Sequence, residues 1–244
     1  MKIVAIIEAR MKSTRLPGKN LRTILGKPML ELLIERLQLA RKLHGIVVAT
    51  TTDPSDDAIE DLTRRLGVGC FRGSMDDVLD RVLRAAKSVD ADAIVEITGD
   101  CPLTDPAIVD QIVEVYLANR FDYVGNVRPS TFPIGLAVQV FPTKVLEEVA
   151  RLTQDPADRE HVSLYIYEHP EKFSLHNVES GLPEKCRDYR LTVDTPEDFA
   201  LIGAIFEALY PGNPGFGLDE VLAILDKNPA LLDLNRSIQQ KPAR

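Results

Sequence analysis

The chain has no C-x-x-C pair, and its three cysteines, Cys70, Cys101 and Cys186, are widely scattered. Their odd number and spacing argue against a disulfide framework and against a cysteine zinc site. No apolar run approaches the roughly 18 residues that a membrane span requires. The apolar stretch 3–7 is cut short by Glu8 and Arg10 with no small-residue cleavage site after it, so it predicts a buried strand, and residence in the cytoplasm, rather than a signal segment. Excess positive charge is missing too. The formal net charge is -8, which argues against a nucleic-acid partner, since duplex binding needs a broad basic face. Two nucleotide signatures are absent. Gly26-Lys27-Pro28 lacks the hydroxyl residue of a P-loop, and Gly67, Gly69 and Gly73 miss the spacing of the dinucleotide fingerprint. Ordinary kinase and dehydrogenase chemistry lose their main support. Internal repeats, low-complexity stretches and linkers are not found.

What is present is an ordinary globular balance, 45% hydrophobic and 27% charged over 244 residues. Apolar runs alternate with segments of helical period. Strands are expected at 3–7, 46–50, 70–72 and 93–98, and helices at about 28–37, 55–66, 76–86 and from Pro106 to about 117. Ser55 and Asp56 are expected to cap the second helix, and Pro106 suits a first turn. This alternation predicts an α/β fold, doubly wound, with a mostly parallel sheet and helices on both faces. The second half is less regular: strands at 136–141, 173–178 and 189–193, helices at 144–152, 158–167, 197–209 and 219–226, a loop at 211–217, and a loose tail after Ser237.

Ligands of an open parallel sheet bind beyond the carboxyl ends of its strands, and three features fall there. The segment after the first strand carries Arg10, Lys12, Arg15 and Lys19, with Ser13, Thr14 and Gly18 among them. Exposed backbone N–H groups and forked guanidinium donors are suited to phosphate oxygens. A solvated surface loop is the alternative. Asp100 follows Thr98 and Gly99 at the end of the strand 93–98 and is placed to hold Mg²⁺, which prefers carboxylate, phosphate and water oxygens; a turn or capping aspartate is the alternative. Asp194 stands before Thr195-Pro196-Glu197-Asp198, where it could equally cap a helix. Cys101 has no adjacent base, so a nucleophilic role is not expected.

Ala9-Arg10, Ser13-Thr14-Arg15-Leu16-Pro17-Gly18-Lys19 and Gly26-Lys27-Pro28-Met29 together resemble the N-terminal signature of KDO and acylneuraminate cytidylyltransferases. Gly99-Asp100-x-Pro102-Leu103 and the Val193–Asp198 stretch follow in matching order. Arg72-Gly73-Ser74-x-Asp76-Asp77 through Arg81, Glu160-His161-Val162 and Asn228-Pro229 are similar to the branch named for spore-coat polysaccharide biosynthesis protein F.

The resemblance covers nearly the whole chain. It implies one nucleotidyltransferase domain over 1–244, with about 211–244 as a C-terminal helical extension, and a homodimer. It implies transfer of CMP from CTP to a sugar acid or related acceptor for surface polysaccharide or glycoconjugate synthesis, with Mg²⁺ as cofactor. Arg10, Lys19 and Asp100 would be catalytic, and Asp100 and Asp194 would hold the metal. Ala9, Arg10, Ser13, Arg15, Lys19, Arg72, Gly73, Asp77, Arg81, Thr98 and Gly99 would bind the nucleotide. Gly135, Gln139, Glu160 and His161 would face the acceptor. The chain departs from the branch at Ile134, Ala137 and Gln139, which are neutral where acids are usual. A different acceptor, such as a sugar phosphate or phosphonate, or a nucleotide-binding homologue without transfer, are the other readings.

Overall fold

The computed structural model describes residues 1–241. Its first strand, β1 (Ile3–Glu8), sends Ile3, Ala5 and Ile7 to one face and Val4 and Ile6 to the other, and all five are buried. A strand with both faces dry must lie inside a sheet covered on both sides. The small hairpin β2 (Thr23–Ile24) and β3 (Lys27–Pro28) leads into helix α1 (Met29–Leu37). Then follow β4 (Gly45–Thr51), α2 (Asp57–Leu66), β5 (Gly69–Gly73), α3 (Val78–Ser88), β6 (Ala93–Thr98) and α4 (Pro106–Ala118). The second half contributes β7 (Tyr123–Gly125), β8 (Gln139–Pro142), α5 (Thr143–Leu152), α6 (Pro156–Glu160), α7 (Leu164–Glu168), β9 (Leu175–Asn177), α8 (Pro196–Leu209) and α9 (Leu218–Lys227).

The seven-stranded sheet has the order β5-β4-β1-β6-β8-β7-β9. The first four strands are parallel, β8 runs antiparallel to β6 and β7, and β9 is parallel to β7. Helices α1, α2, α4, α8 and α9 build the core on one face, and α3, α5 and α7 build it on the other. This is the doubly wound α/β architecture that the alternation predicts. No helix of the described residues is long and apolar enough to cross a membrane.

The differences from expectation concentrate in the second half. The strand expected at 136–141 starts only at Gln139, because the Asn126 side chain replaces the ladder there: its amide donates to the Leu136 carbonyl at 2.8 Å and its oxygen accepts from Val138 N–H at 2.9 Å. The helix expected at 158–167 is split into α6 and α7, since Val162 takes φ 20, outside the helical region. The stretch 189–193 forms no named strand, only a bridge of Arg190 to Ile134. Asp56 stands at the N-cap of α2 as expected but makes no side-chain capping bond, and Ser55 is not the cap. Asp53 caps the preceding turn by accepting from Ser55 N–H, and the Asp56 carboxylate turns inward. The tail after Ser237 is tied down in part, with Gln240 accepting from Arg190 Nη1; 242–244 lie outside the described residues.

Gly135 has φ +104, and a Cβ there would sit 2.5 Å from the Leu191 backbone. Gly135→Ala is therefore expected to destabilise the fold by roughly 1–3 kcal/mol, read as a fall in the urea midpoint; an unchanged midpoint would show that the 191 segment yields without cost.

Candidate active site

The basic loop leaves β1 and is knotted to the sheet by one carboxylate. Asp56 is 1% exposed; it accepts from Met11 N–H at 2.7 Å with one oxygen and from Thr50 Oγ1 and Thr51 N–H, at 2.9 and 3.0 Å, with the other. Gly18 N–H closes the loop on the Met11 carbonyl at 3.0 Å, and Asn20 donates to the Arg10 carbonyl at 2.8 Å. These bonds set the direction of the turn Lys19–Leu21, which sends the Lys19 side chain inward. Beside it, Gly99 N–H bonds the Glu8 carbonyl at 2.8 Å, and a Cβ on Gly99 would lie 2.7 Å from that same oxygen. Only glycine lets β6 end this close to β1.

Asp100 then meets the segment before α8. Val193 N–H donates to the Asp100 carbonyl at 2.8 Å, which brings Asp194 alongside. The Lys19 ammonium lies between the two acids, 3.0 Å from Asp100 Oδ2 and 3.0 Å from Asp194 Oδ1, and donates to the Val193 carbonyl at 2.8 Å. Arg15 and Arg190 both reach Asp194 Oδ2, at 2.9 and 2.8 Å. Asp194 is thus not the helix cap. Thr195 fills that place, in a capping box with Asp198.

Burial works against the charge on Lys19, but Asp100 and Asp194 outweigh it and its pKa stands above the ordinary lysine value. Burial likewise pushes Asp194 up, and Lys19, Arg190 and Arg15 more than reverse this, leaving its carboxyl below the usual range. Lys19 and Asp194 are therefore both charged at neutral pH. Two carboxylates held around one cation are also the protein share of a Mg²⁺ site, which draws its other ligands from phosphate and water. Among the described residues no group of three or more His, Cys, Asp or Glu could enclose a metal alone. The donor set fits a metal that arrives with phosphates.

The structure thus joins Arg15, Lys19, Asp100 and Asp194, and keeps Ala9, Ser13, Thr98 and Gly99 on the segments that carry them. Arg10 makes no ion pair among the described residues; its guanidinium reaches the Met75 carbonyl at 3.4 Å. Arg81 reaches the same carbonyl at 3.5 Å and also binds the Ser74 and Ala49 carbonyls, so it shapes the 74–75 turn from a buried position. Gly73 ends β5 beneath the Arg81 stem, and Asp77 caps α3 while pairing with Arg159 at 3.0 Å. Arg72 is not brought to the cluster. It is taken up by Asp57, Glu60 and the Thr51 and Asp53 carbonyls, and fastens β5 to α2.

Of the residues expected at the acceptor, Gly135 lies against Leu191, and Glu160 and His161 are exposed at the end of α6. Gln139 is buried and accepts from Tyr123 Oη and Ser163 Oγ, at 2.6 and 2.9 Å. Burial pushes the Cys101 thiol far up, so it is inert beside Asp100.

Sequence reasoning missed Asp56, Arg190 and the paired acids Glu8 and Glu96. Burial and each other's proximity push Glu8 well above the ordinary glutamate value, and burial pushes Glu96 up to about 7. The only available signal was polarity at an inward strand position: Glu96 interrupts the apolar run of β6.

A family model described as Cytidylyltransferase matches residues 4–228. An uncharacterized protein of Methanocaldococcus jannaschii is 40% identical over 244 residues, 100% of this chain and 98% of its own. Spore coat polysaccharide biosynthesis protein SpsF of Bacillus subtilis is 32% identical over 234 residues, 93% of this chain and 95% of its own. A solved cytidylyltransferase of Leptospira borgpetersenii superposes with a TM-score of 0.90 at 34% identity, covering 98% of this chain and 100% of that one.

Proposed function

Because the chain belongs to the cytidylyltransferase family and is by that a nucleotidyltransferase using CTP, we propose that it transfers CMP from CTP to a sugar acid or related acceptor, with Mg²⁺. The observation that carries this reading is the Lys19 ammonium held 3.0 Å from both Asp100 and Asp194. It marks a cation position walled by two acids at the end of a parallel strand, with Arg10 and Arg15 on the loop above.

In this reading Asp100 and Asp194 hold the divalent ion, which when bound would offset triphosphate charge and polarise the α-phosphoryl group. Lys19, Arg15 and Arg10 grip phosphate oxygens, Lys19 and Arg15 giving up carboxylate partners to do so. Ser13 and Thr98 offer hydroxyl groups to the nucleotide, Ala9 and Gly99 line its approach with their N–H groups held by the Ala49 and Glu8 carbonyls, and the turn shaped by Arg81 flanks it with Gly73 and Asp77. The acceptor hydroxyl attacks the α-phosphorus on the side of Gly135 and Gln139. A new oxygen–phosphorus bond forms as the hydroxyl proton is lost to solvent, the bond to the bridging oxygen breaks, and diphosphate leaves. Such a transfer is mostly positioning and charge neutralisation. The similarity to SpsF, a protein named for spore coat polysaccharide biosynthesis, supports a sugar acceptor. One domain carries the reaction, with about 211–244 as its extension; it works in the cytoplasm, as a homodimer.

The neutral Ile134, Ala137 and Gln139 favour a second reading of the acceptor alone. Gln139 is spent on Tyr123 and Ser163, so a sugar phosphate or phosphonate enters the panel beside sugar acids. Diphosphate release is expected with CTP, Mg²⁺ and one of these acceptors, and not with EDTA. Asp100→Asn is expected to lower that release about a hundredfold or more while CTP still raises the melting temperature. Full turnover in the variant would remove Asp100 from the site, and no release with any nucleotide and acceptor would remove the enzyme reading.

A further inference from the structure

Asp194 has one oxygen facing Lys19, and the other, which Arg15 also reaches, is held by a buried unit that the expected site did not include. Arg190 is 5% exposed and Asp198 is 0% exposed. Arg190 Nε donates to Asp198 Oδ1 at 2.9 Å, and Nη2 divides between Asp198 Oδ2 at 3.0 Å and Asp194 Oδ2 at 2.8 Å. Asp198 Oδ2 also accepts the backbone N–H of Asp194, at 3.0 Å, and of Thr195, at 3.1 Å. The same Arg–Asp unit therefore sets both the main chain and the carboxylate plane of Asp194.

The C-terminal segment closes this unit from behind. Asn235, 4% exposed, donates to the Arg190 carbonyl at 2.9 Å and to Asp198 Oδ1 at 2.8 Å, and Gln240 accepts from Arg190 Nη1. Each nitrogen of the Arg190 guanidinium is engaged. We infer that Arg190, braced by Asp198 and Asn235, is a positioning residue that fixes Asp194 Oδ2 so that Oδ1 faces the cation position, and that the C-terminal segment is thereby a working part of the site. A lysine cannot do this. It carries the charge as a single point and lacks the planar fork that spans two carboxylates.

This inference rests on the proposed role of Asp194 as a metal ligand, and the experiment separates the two. Calorimetry gives the affinity for CTP in EDTA and for CTP with saturating Mn²⁺, and their ratio is the metal's contribution. For Arg190→Lys, affinity in EDTA is expected to stay within threefold of wild type while the ratio falls tenfold or more, and kcat falls more than KM for CTP rises. A merely structural loss would weaken both affinities together and leave the ratio unchanged, and that result overturns the inference. Asp194→Asn is the control. If its ratio also stays at the wild-type value, the metal-ligand reading itself fails; if its ratio collapses while that of Arg190→Lys does not, only the inference about Arg190 fails. Should Arg190→Lys not fold, Asn235→Ala keeps the arginine and removes its brace. A threefold fall in the ratio is expected there, and an unchanged ratio counts against the inference.

Discussion

Replacing Lys19 with methionine is expected to lower CMP transfer by about 10²- to 10³-fold, the usual cost of removing one charged donor from a transferring phosphoryl group. It is also expected to let the protein bind Mn²⁺ without nucleotide. Both effects come from one geometry. In the free protein the ammonium sits at hydrogen-bonding distance from Asp100 and Asp194, the two residues that would hold a divalent ion. A divalent ion alone must expel a buried ammonium that has nowhere to go. A metal–nucleotide complex brings phosphate oxygens for Lys19 to move to. Methionine keeps the apolar stem and removes the charge, so the two acids are left facing each other across an empty position and their repulsion favours a cation. Arg15 and Arg190 still neutralise Asp194, which should keep the variant folded. Mn²⁺ titration followed by electron paramagnetic resonance reads this directly: weak binding for wild type, at least tenfold tighter binding for Lys19→Met. Equal binding in both proteins would mean that the ammonium does not guard the position.

Replacing Glu96 with glutamine is expected to flatten the dependence of stability on pH between about 4.5 and 7. Glu96 is 5% exposed, and its burial raises its pKa from the ordinary 4.5 to about 7. Above pH 4.5 the unfolded chain has released this proton while the folded chain keeps it. The folded state therefore binds more protons, and stability falls as pH rises until the folded group also ionises near 7. At 1.36 kcal/mol per unit the loss attributable to Glu96 is about 3 kcal/mol. The raised pKa of Glu8 acts in the same direction. Glutamine can keep a contact to Ser163 without titrating. Urea midpoints at pH 5 and pH 8 should differ markedly less for Glu96→Gln than for wild type, and parallel slopes would show that the buried pair does not titrate in this range.

The parts of the fold open to reading were those set by local pattern. The dry strands β1 and β6 and the proline-opened α4 fall where periodicity puts them, because a strand covered on both faces reads as a near-continuous apolar run and a proline at the first turn removes no helical bond. The parts hidden from reading depend on bonds between distant segments. Val162 looks helical in its own neighbourhood, yet the next residue, Ser163, turns in to Gln139, 24 positions away, and the helix breaks there. Asp56 has the look of a cap, but Thr50, Thr51 and Met11 claim it. The site shows the same division. Lys19, Asp100 and Asp194 stand out as charged residues at strand ends and do converge. Arg72 seemed equally suitable and went to Asp57 and Glu60, because the edge strand β5 places it over α2. Arg190 carried no signal, since its partners Asn235 and Gln240 lie in a polar tail without any period.

The knot at Asp56 bears on how a nucleotide is received. A loop with four cationic side chains should spread apart by self-repulsion, and an anion would then have to gather it, losing affinity to the entropy of ordering it. Here the gathering is done at folding, by a carboxylate sealed under the loop whose bonds to Met11, Thr50 and Thr51 tie the turn to β4. Triphosphate thus meets a rigid mould cast by the sheet.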